Sequence, residues 1–320
     1  MLALVPISPW HWAGFIAFVL LFLALDLGVF HREARVTRFR DALSWTVFWI
    51  ALALLFAAAL VPMRGHKEAV EFLTGYFIEL SLSMDNVFVI ALIFSYFRLA
   101  AEYQHRLLFW GILGALLMRG LMIGAGVALI NRLDWVLYAL GLFLLYTAIK
   151  MLVSRQENVD PEKNPVIRLA RRLLPISPDF EGRKFVTRHQ GRWMLTPMWL
   201  VLVMVETTDL VFAVDSIPAI FGVTRRPFIV FTSNVFAILG LRSLYIVLAG
   251  AIGYFRFLKF GLSVVLLFIA VKMLIDPHDN PPRWFQYDIP DGVSLIVVLG
   301  IITNAILASV ASAWREPKTK

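Results

Sequence analysis

Long apolar stretches follow one another along most of the chain, separated by short polar segments. Runs such as Phe15–Leu25 and Ile50–Leu60 are continuously apolar, whereas transmembrane β-strands would alternate apolar and polar residues. Because roughly 20 helical residues cross a bilayer core, each stretch predicts a transmembrane helix. The predicted spans cover about residues 10–30, 42–62, 70–97, 106–130, 134–153, 196–221, 228–252, 255–276 and 290–313. We therefore predict an all-α integral membrane protein with about nine transmembrane helices, although seven or eight also fit the pattern.

Composition agrees with a membrane protein and excludes several kinds of site. The chain is 60% hydrophobic and 16% charged, whereas soluble domains are about 45–50% apolar and a quarter charged. It has no Cys, which excludes disulfides, thiolate metal sites and cysteine nucleophiles. The net charge of +8 comes from basic residues that flank the spans, so we expect the lipid bilayer as a partner rather than nucleic acid. No enzyme motif occurs in its required context, and we expect neither an enzyme nor a resident cofactor.

Basic residues in the loops predict the orientation of the chain. The loops expected in the cytoplasm carry Arg32, Arg35, Arg38 and Arg40, then Arg98 and Arg106, then the long basic segment 154–195. The alternate loops contain fewer basic residues. Since cytoplasmic loops are enriched in Lys and Arg, we predict the N-terminus outside and the C-terminus in the cytoplasm. Within the basic segment, residues 167–174 predict a short amphipathic helix at the membrane surface.

The two membrane halves resemble each other. LLYTAIKML (144–152) aligns with LLFIAVKML (266–274), which places Lys150 on Lys272, and an upstream match places Arg119 on Arg242. Three spans in each copy predict a three-plus-three inverted repeat, as in many transporters. Lys150 and Lys272 lie near span ends, where we expect them to extend to the interface. The predicted units are 1–69 (two N-terminal helices), 70–153 (repeat 1), 154–195 (cytoplasmic linker), 196–276 (repeat 2) and 277–320 (C-terminal helix and tail).

Acidic residues lie inside two of the spans. The third span contains Glu79 and Asp85, and the sixth contains Glu206, Asp209 and Asp215. Each costs about 2.5–3.5 kcal/mol at a helix centre, so several together indicate a function. Glu79 and Asp85 are six positions apart, as are Asp209 and Asp215, which is about 120° around a regular helix. We therefore predict that both helices are interrupted, which would let the carboxylates converge.

These side chains offer oxygen atoms as ligands. Carboxylate, amide and hydroxyl oxygens suit Mg²⁺, Ca²⁺ or Mn²⁺. The predicted ligands are Glu79, Asp85, Asn86, Glu206, Asp209, Asp215 and Ser216. Two alternatives stay open: the carboxylates form a structural charge network with Arg119 and Arg242, or those arginines bind a small organic solute. Asn234 and Asn304 either line a pathway or bond neighbouring helices.

The acidic segments also support a family resemblance. ELSLSMDNV (79–87) and ETTDLVFAVDSIPA (206–219) resemble the two signature segments of the TerC family, which was named for tellurium resistance and belongs with the LysE-type exporters. The similarity continues through 233–245 and 259–275, and length and span count are most similar to the Alx branch. The resemblance implies a bacterial inner-membrane exporter in which the acidic residues coordinate Mn²⁺ as the transported ion. Its alternatives are a carrier of another small solute or tellurium-related ion and a membrane assembly partner.

Overall fold

The structure is a computed structural model that describes most of the chain. The described residues are 7–28, 39–133, 135–153, 165–178, 180–182, 184–189, 192–249, 257–276, 284 and 286–315. Arg32, Arg35 and Arg38, the first part of the basic segment (154–164) and the tail 316–320 lie outside them, and so do the predicted span ends at 29–30 and 250–256.

Long helices lie at the predicted spans. The elements are α1 (Pro9–Gly28), α2 (Phe39–Arg64), α3 (His66–Tyr96), α4 (Ala101–Ile130), α5 (Trp135–Val153), α6 (Pro165–Leu173), β1 (Val186–His189), β2 (Arg192–Leu195), α7 (Pro197–Phe221), α8 (Pro227–Ala249), α9 (Leu258–Ile275) and α10 (Asp291–Arg315). Within the described residues, 7 helices are long and apolar enough to cross a membrane, namely α2, α3, α4, α5, α8, α9 and α10. The chain is therefore a multi-pass, mainly helical membrane protein. That α1 and α7 also span the membrane stays a prediction.

The basic segment between the two halves has structure of its own. The predicted amphipathic helix is confirmed as α6, which buries Ile167 and Ala170 while Arg168 and Arg172 are exposed. An antiparallel hairpin follows, in which Val186 pairs with Leu195 and His189 with Arg192. This hairpin is a departure from the predicted all-α fold. Arg106 of α4 lies over the ring of Phe185 at 5.0 Å, so the segment packs beside the start of α4.

Helices α3 and α8 form the centre of the bundle. α3 packs against α2, α7, α8 and α10, and α8 packs against α2, α3 and α4. A Cβ added at Gly75 of α3 would lie 2.9 Å from Ser233 Oγ of α8, so the two backbones approach closely at this glycine. The central position of α3 places its polar face inside the protein.

The predicted interruptions of the acidic helices are wrong. α3 and α7 are continuous α-helices through all five acidic residues. The Ser and Thr hydroxyls bond within their own helix: Ser81 donates to the carbonyl of Phe77 at 2.6 Å, and Thr208 to that of Met204 at 2.8 Å. Pro218 lies in the last turn of α7 and removes one backbone hydrogen bond, but the helix continues to Phe221. Carboxylates six positions apart therefore diverge instead of converging.

Three loops meet around a charged cavity at one end of the bundle. The cavity has a volume of about 420 Å³ and lies where α2 meets α3, α7 meets α8 and α9 meets α10. Arg226 spans its wall, with Nη1 3.2 Å from Glu68 Oε1 and 3.4 Å from Glu71 Oε2. The sequence placed these three loops on the same side of the membrane, which the cavity supports. Which end faces the cytoplasm stays a prediction.

The two aligned lysines differ in their surroundings, which gives a test of stability. Lys272 is 3% exposed, and its Nζ lies 3.2 Å from Asp291 Oδ1 and 3.0 Å from Ser294 Oγ beside the cavity, so its charge is held between α9 and α10. Lys150 is exposed. Replacing Lys272 by Met is expected to lower the free energy of unfolding by about 2 kcal/mol, because a hydrogen bond to a charged group is lost between α9 and α10. Lys150→Met is the matched control, expected within about 0.5 kcal/mol of the unmodified protein. Equal unfolding midpoints in detergent for the two variants would contradict the role given to Lys272.

Candidate functional site

One face of α3 presents polar side chains to the interior. Glu79, Ser83 and Asn86 lie four and three positions apart, which is the spacing of one face of a continuous helix. All three are buried. Asp85 lies off this face and is partly buried. The helix therefore separates Asp85 from Glu79.

α7 divides its acidic residues in the same way. Asp209 and Ser216, seven positions apart, are buried on one face, and Glu206 lies one turn before Asp209. Asp215 points elsewhere: its Oδ1 lies 3.3 Å from the hydroxyl of Thr147 on α5. The carboxylates of α7 thus face two different neighbours.

Arg119 of α4 joins the buried polar residues of α3, α7 and α8. Its Nη2 lies 3.0 Å from Asp209 Oδ1 and its Nε 3.2 Å from Asp209 Oδ2, so the guanidinium binds the carboxylate as a fork. Its Nη1 forms an ion pair with Glu79 Oε1 and lies 3.4 Å from Asn234 Oδ1. Asn86 Nδ2 donates to Asp209 Oδ1 at 2.9 Å. We name these five residues, Glu79, Asn86, Arg119, Asp209 and Asn234, the Arg119 cluster.

Several buried oxygen atoms of α3 and α7 have no hydrogen-bond partner among the described residues. These buried atoms are both carboxylate oxygens of Glu79, Ser83 Oγ, Asn86 Oδ1, Glu206 Oε2 and Ser216 Oγ. Glu79 nevertheless has an ionic partner, because its Oε1 pairs with Arg119. The carboxylate of Glu206 lies directly against Gly114 of α4, in the space that a Cβ there would occupy. Buried polar atoms without partners are rare in native structures, so these oxygens are candidates to bind an ion or water.

The structure brings together part of the predicted ligand set. Glu79, Asn86 and Asp209 meet at Arg119, whereas Asp85 and Asp215 lie outside the Arg119 cluster. Among the described residues, no group of three or more His, Cys, Asp or Glu side chains is close enough to hold a metal ion. In this conformation the guanidinium lies where the carboxylates of α3 and α7 meet.

Sequence reasoning missed some contacts at the site and left others open. The alternative of a charge network applies to Arg119, which pairs with Glu79 and Asp209. Nη2 of Arg242, its aligned counterpart, lies 3.2 Å from His105 Nδ1. Of the two candidate asparagines, Asn234 contacts the site, and Asn304 donates to the carbonyl of Gly300 in its own helix. The partnership of Thr147 with Asp215 had no signal in the sequence.

Comparison with known proteins decides the family. The sequence profile of the "Integral membrane protein TerC family" matches residues 64–319, which include every residue of the Arg119 cluster. The chain belongs to the TerC family. The profile covers α3 to α10, whereas α1 and almost all of α2 precede it.

Relatives of this TerC protein match it over nearly its whole length. An uncharacterized membrane protein of Myxococcus xanthus is 50% identical over 311 residues, which cover 97% of this chain and 95% of the relative. A protein of Escherichia coli described as "Putative membrane-bound redox modulator Alx" is 43% identical over 316 residues, with 96% and 95% covered. An uncharacterized membrane protein of Rickettsia felis is 37% identical over 299 residues, with 93% and 97% covered. No solved structure matches the TerC protein.

Proposed function

We propose that this TerC protein exports Mn²⁺ from the cytoplasm through an intramembrane site of carboxylates. The observation that carries the proposal is a set of buried oxygens on α3 and α7, at Asn86, Glu206 and Ser216, that have no hydrogen-bond partner among the described residues, together with the buried carboxylate of Glu79. Carboxylate, amide and hydroxyl oxygens are the hard ligands that Mn²⁺ accepts. No chemical reaction and no resident cofactor are needed, because the ion is the substrate.

Charge supports a divalent cation as that substrate. Glu79, Glu206 and Asp209 are three carboxylates, and Arg119 supplies one guanidinium, which leaves two negative charges when all four are ionised. A divalent cation would neutralise them, whereas an anion would be repelled. Asp85 and Asp215, partly buried on other faces of α3 and α7, would serve as further ligands on the route of the ion.

The packing of the two halves supports an inverted repeat and alternating access. In a two-fold repeat α3 corresponds to α7, α4 to α8 and α5 to α9. The contact of α3 with α8 is matched by that of α7 with α4, and α5 packs on its own counterpart α9, as two copies around a two-fold axis would. In the register that aligns Asp85 with Asp215, Glu79 aligns with Asp209, and Arg119 contacts both. We place the site at the interface of the repeats and assign transport to rocking of one repeat against the other. The protein would lie in the inner membrane with its C-terminus in the cytoplasm.

Flux through purified protein in liposomes tests this proposal. With a manganese-sensitive dye inside, the unmodified protein is expected to carry Mn²⁺ faster than Ca²⁺ or Mg²⁺, and protein-free liposomes give the background. If protons compete with the metal for the carboxylates, an imposed pH gradient will change the rate. A rate indifferent to the gradient would remove proton exchange. Mn²⁺ flux at background would contradict the proposed function.

A second candidate, a membrane assembly partner without transport, is favoured by one observation. Arg119 already pairs with Glu79 and Asp209, which is what a structural charge network requires. Oxygens of Glu206 and Ser216 that lack hydrogen-bond partners in the described part of the chain argue against it, because leaving them buried costs a purely structural network free energy. The description "redox modulator" belongs to the Alx relatives, and this chain has no Cys for thiol chemistry.

A further inference from the structure

Arg119 binds the groups to which the proposed function assigns the metal. The guanidinium is fixed by Asp209 through two hydrogen bonds of 3.0 and 3.2 Å and pairs with Glu79. Asn86, a third proposed ligand, donates its amide to the same Asp209 carboxylate at 2.9 Å. A cation that belongs to the protein therefore lies among the ligands expected for the cation that is carried.

The buried position of the Arg119 cluster explains why its carboxylates need a neutralising partner when no metal is bound. Arg119 is 2% exposed, Glu79 0% and Asp209 5%. Two carboxylates at such depth are strongly unfavourable without a positive partner, because neither water nor a high dielectric compensates them. When the metal leaves, a proton or another cation has to neutralise these carboxylates, and the guanidinium of Arg119 is within reach.

We propose that Arg119 is a tethered substitute for the transported cation. It holds Glu79 and Asp209 when no metal is bound, so that the empty carrier can return across the membrane with its carboxylates paired. The metal displaces the guanidinium on binding, and the guanidinium displaces the metal on release. This inference rests on the proposed function and adds a positioning role for Arg119 in the return step.

Two modes of transport separate this role from a structural one. Exchange of one Mn²⁺ for another across the membrane uses only the loaded carrier, whereas net flux also requires the empty carrier to return. A substitute cation matters only for the empty carrier. Loss of Arg119 should therefore reduce net flux and spare exchange, whereas damage to the fold would reduce both together.

The second half of the protein supplies a matched control. Arg242 aligns with Arg119 in the repeat and is also buried, but it lies beside His105 of α4 rather than in the Arg119 cluster. An Arg242→Gln variant makes the same chemical change in the corresponding span. Its ratio of net flux to exchange is expected to equal that of the unmodified protein.

The experiment measures net Mn²⁺ flux and Mn²⁺–Mn²⁺ exchange in liposomes containing the unmodified protein, Arg119→Gln, Arg119→Lys or Arg242→Gln. In Arg119→Gln, net flux is expected to fall at least about tenfold, which corresponds to about 1.4 kcal/mol in the barrier for return of the empty carrier. Exchange is expected to stay within about twofold, because it uses only the loaded carrier. Arg119→Lys restores a tethered cation and should recover most of the net flux. Lys binds as a single point charge rather than a fork, so the half-saturating Mn²⁺ concentration for exchange should be lower than in the unmodified protein.

Each outcome decides a different claim. If the unmodified protein shows neither net flux nor exchange, the proposed function fails. If it shows both and Arg119→Gln loses both in equal proportion, the substitute role of Arg119 is overturned. Should Arg119→Gln not fold, Arg119→Lys decides alone: a lower half-saturating Mn²⁺ concentration supports the role, and an equal or higher one overturns it.

Discussion

Replacing Asp209 by Asn is expected to abolish manganese efflux and to lower the free energy of unfolding by about 3 kcal/mol, because it breaks a buried ion pair. Asp209 accepts two hydrogen bonds from Arg119 and one from Asn86, all inside the bundle. An amide at this position keeps the shape of the side chain but removes the charge that holds the guanidinium. The metal site would lose a ligand and the fold a central contact.

Efflux and stability are measured on the same preparation of the Asp209→Asn variant. Efflux is followed in liposomes, and unfolding is followed by heating the protein in detergent. A variant that keeps its unfolding temperature would contradict the structural importance of the Arg119 pair. One that keeps its efflux would remove Asp209 from the proposed ligands.

Replacing Glu206 by Gln, one helical turn away, is expected to reduce efflux at least about tenfold, the loss that about 1.4 kcal/mol of ligand interaction would cause. Unlike Asp209, Glu206 has an oxygen without a hydrogen-bond partner among the described residues, and its carboxylate lies against Gly114. The free energy of unfolding should therefore change by less than about 1 kcal/mol.

The comparison of these two variants separates ligands from structural partners. Both make the same carboxylate-to-amide change on the same face of α7. If Glu206→Gln destabilised the protein as much as Asp209→Asn and transported normally, the unpartnered oxygen would have no part in ion binding, and the assembly-partner function would be favoured.

Much of the membrane architecture could be predicted from apolar length alone. A helix in lipid satisfies its own backbone, so a run of about 20 apolar residues has few other structures available. The five intramembrane carboxylates could also be recognised in the sequence, because burying a charged side chain in the membrane costs free energy and usually marks a functional site. The short strands β1 and β2 were not predicted, because four residues each in a basic segment give too little alternation to be recognised.

The arrangement of the site could be predicted only in part, because it depends on contacts between helices. Sequence spacing alone correctly places Glu206 and Asp209 on one face and separates Glu79 from Asp85 on a straight helix. The expectation that the helices break was wrong because the hydroxyls of residues such as Ser81 and Thr208 bond to carbonyls of their own helix and leave the backbone intact. Nothing in the sequence shows that Arg119 binds Asp209 or that its aligned Arg242 lies beside His105.

Export through intramembrane carboxylates is tested most directly at Asp85 and Asp215, which lie outside the Arg119 cluster. Their replacement should leave the ion pair of Arg119 with Asp209 intact. Cells under manganese stress would express the unmodified protein or the Asp85→Asn, Asp215→Asn double variant at equal membrane abundance, and their manganese content would be measured. Manganese is expected to be low with the unmodified protein and high, as in cells without it, with the double variant. Equal manganese in cells with either protein would contradict export through these carboxylates.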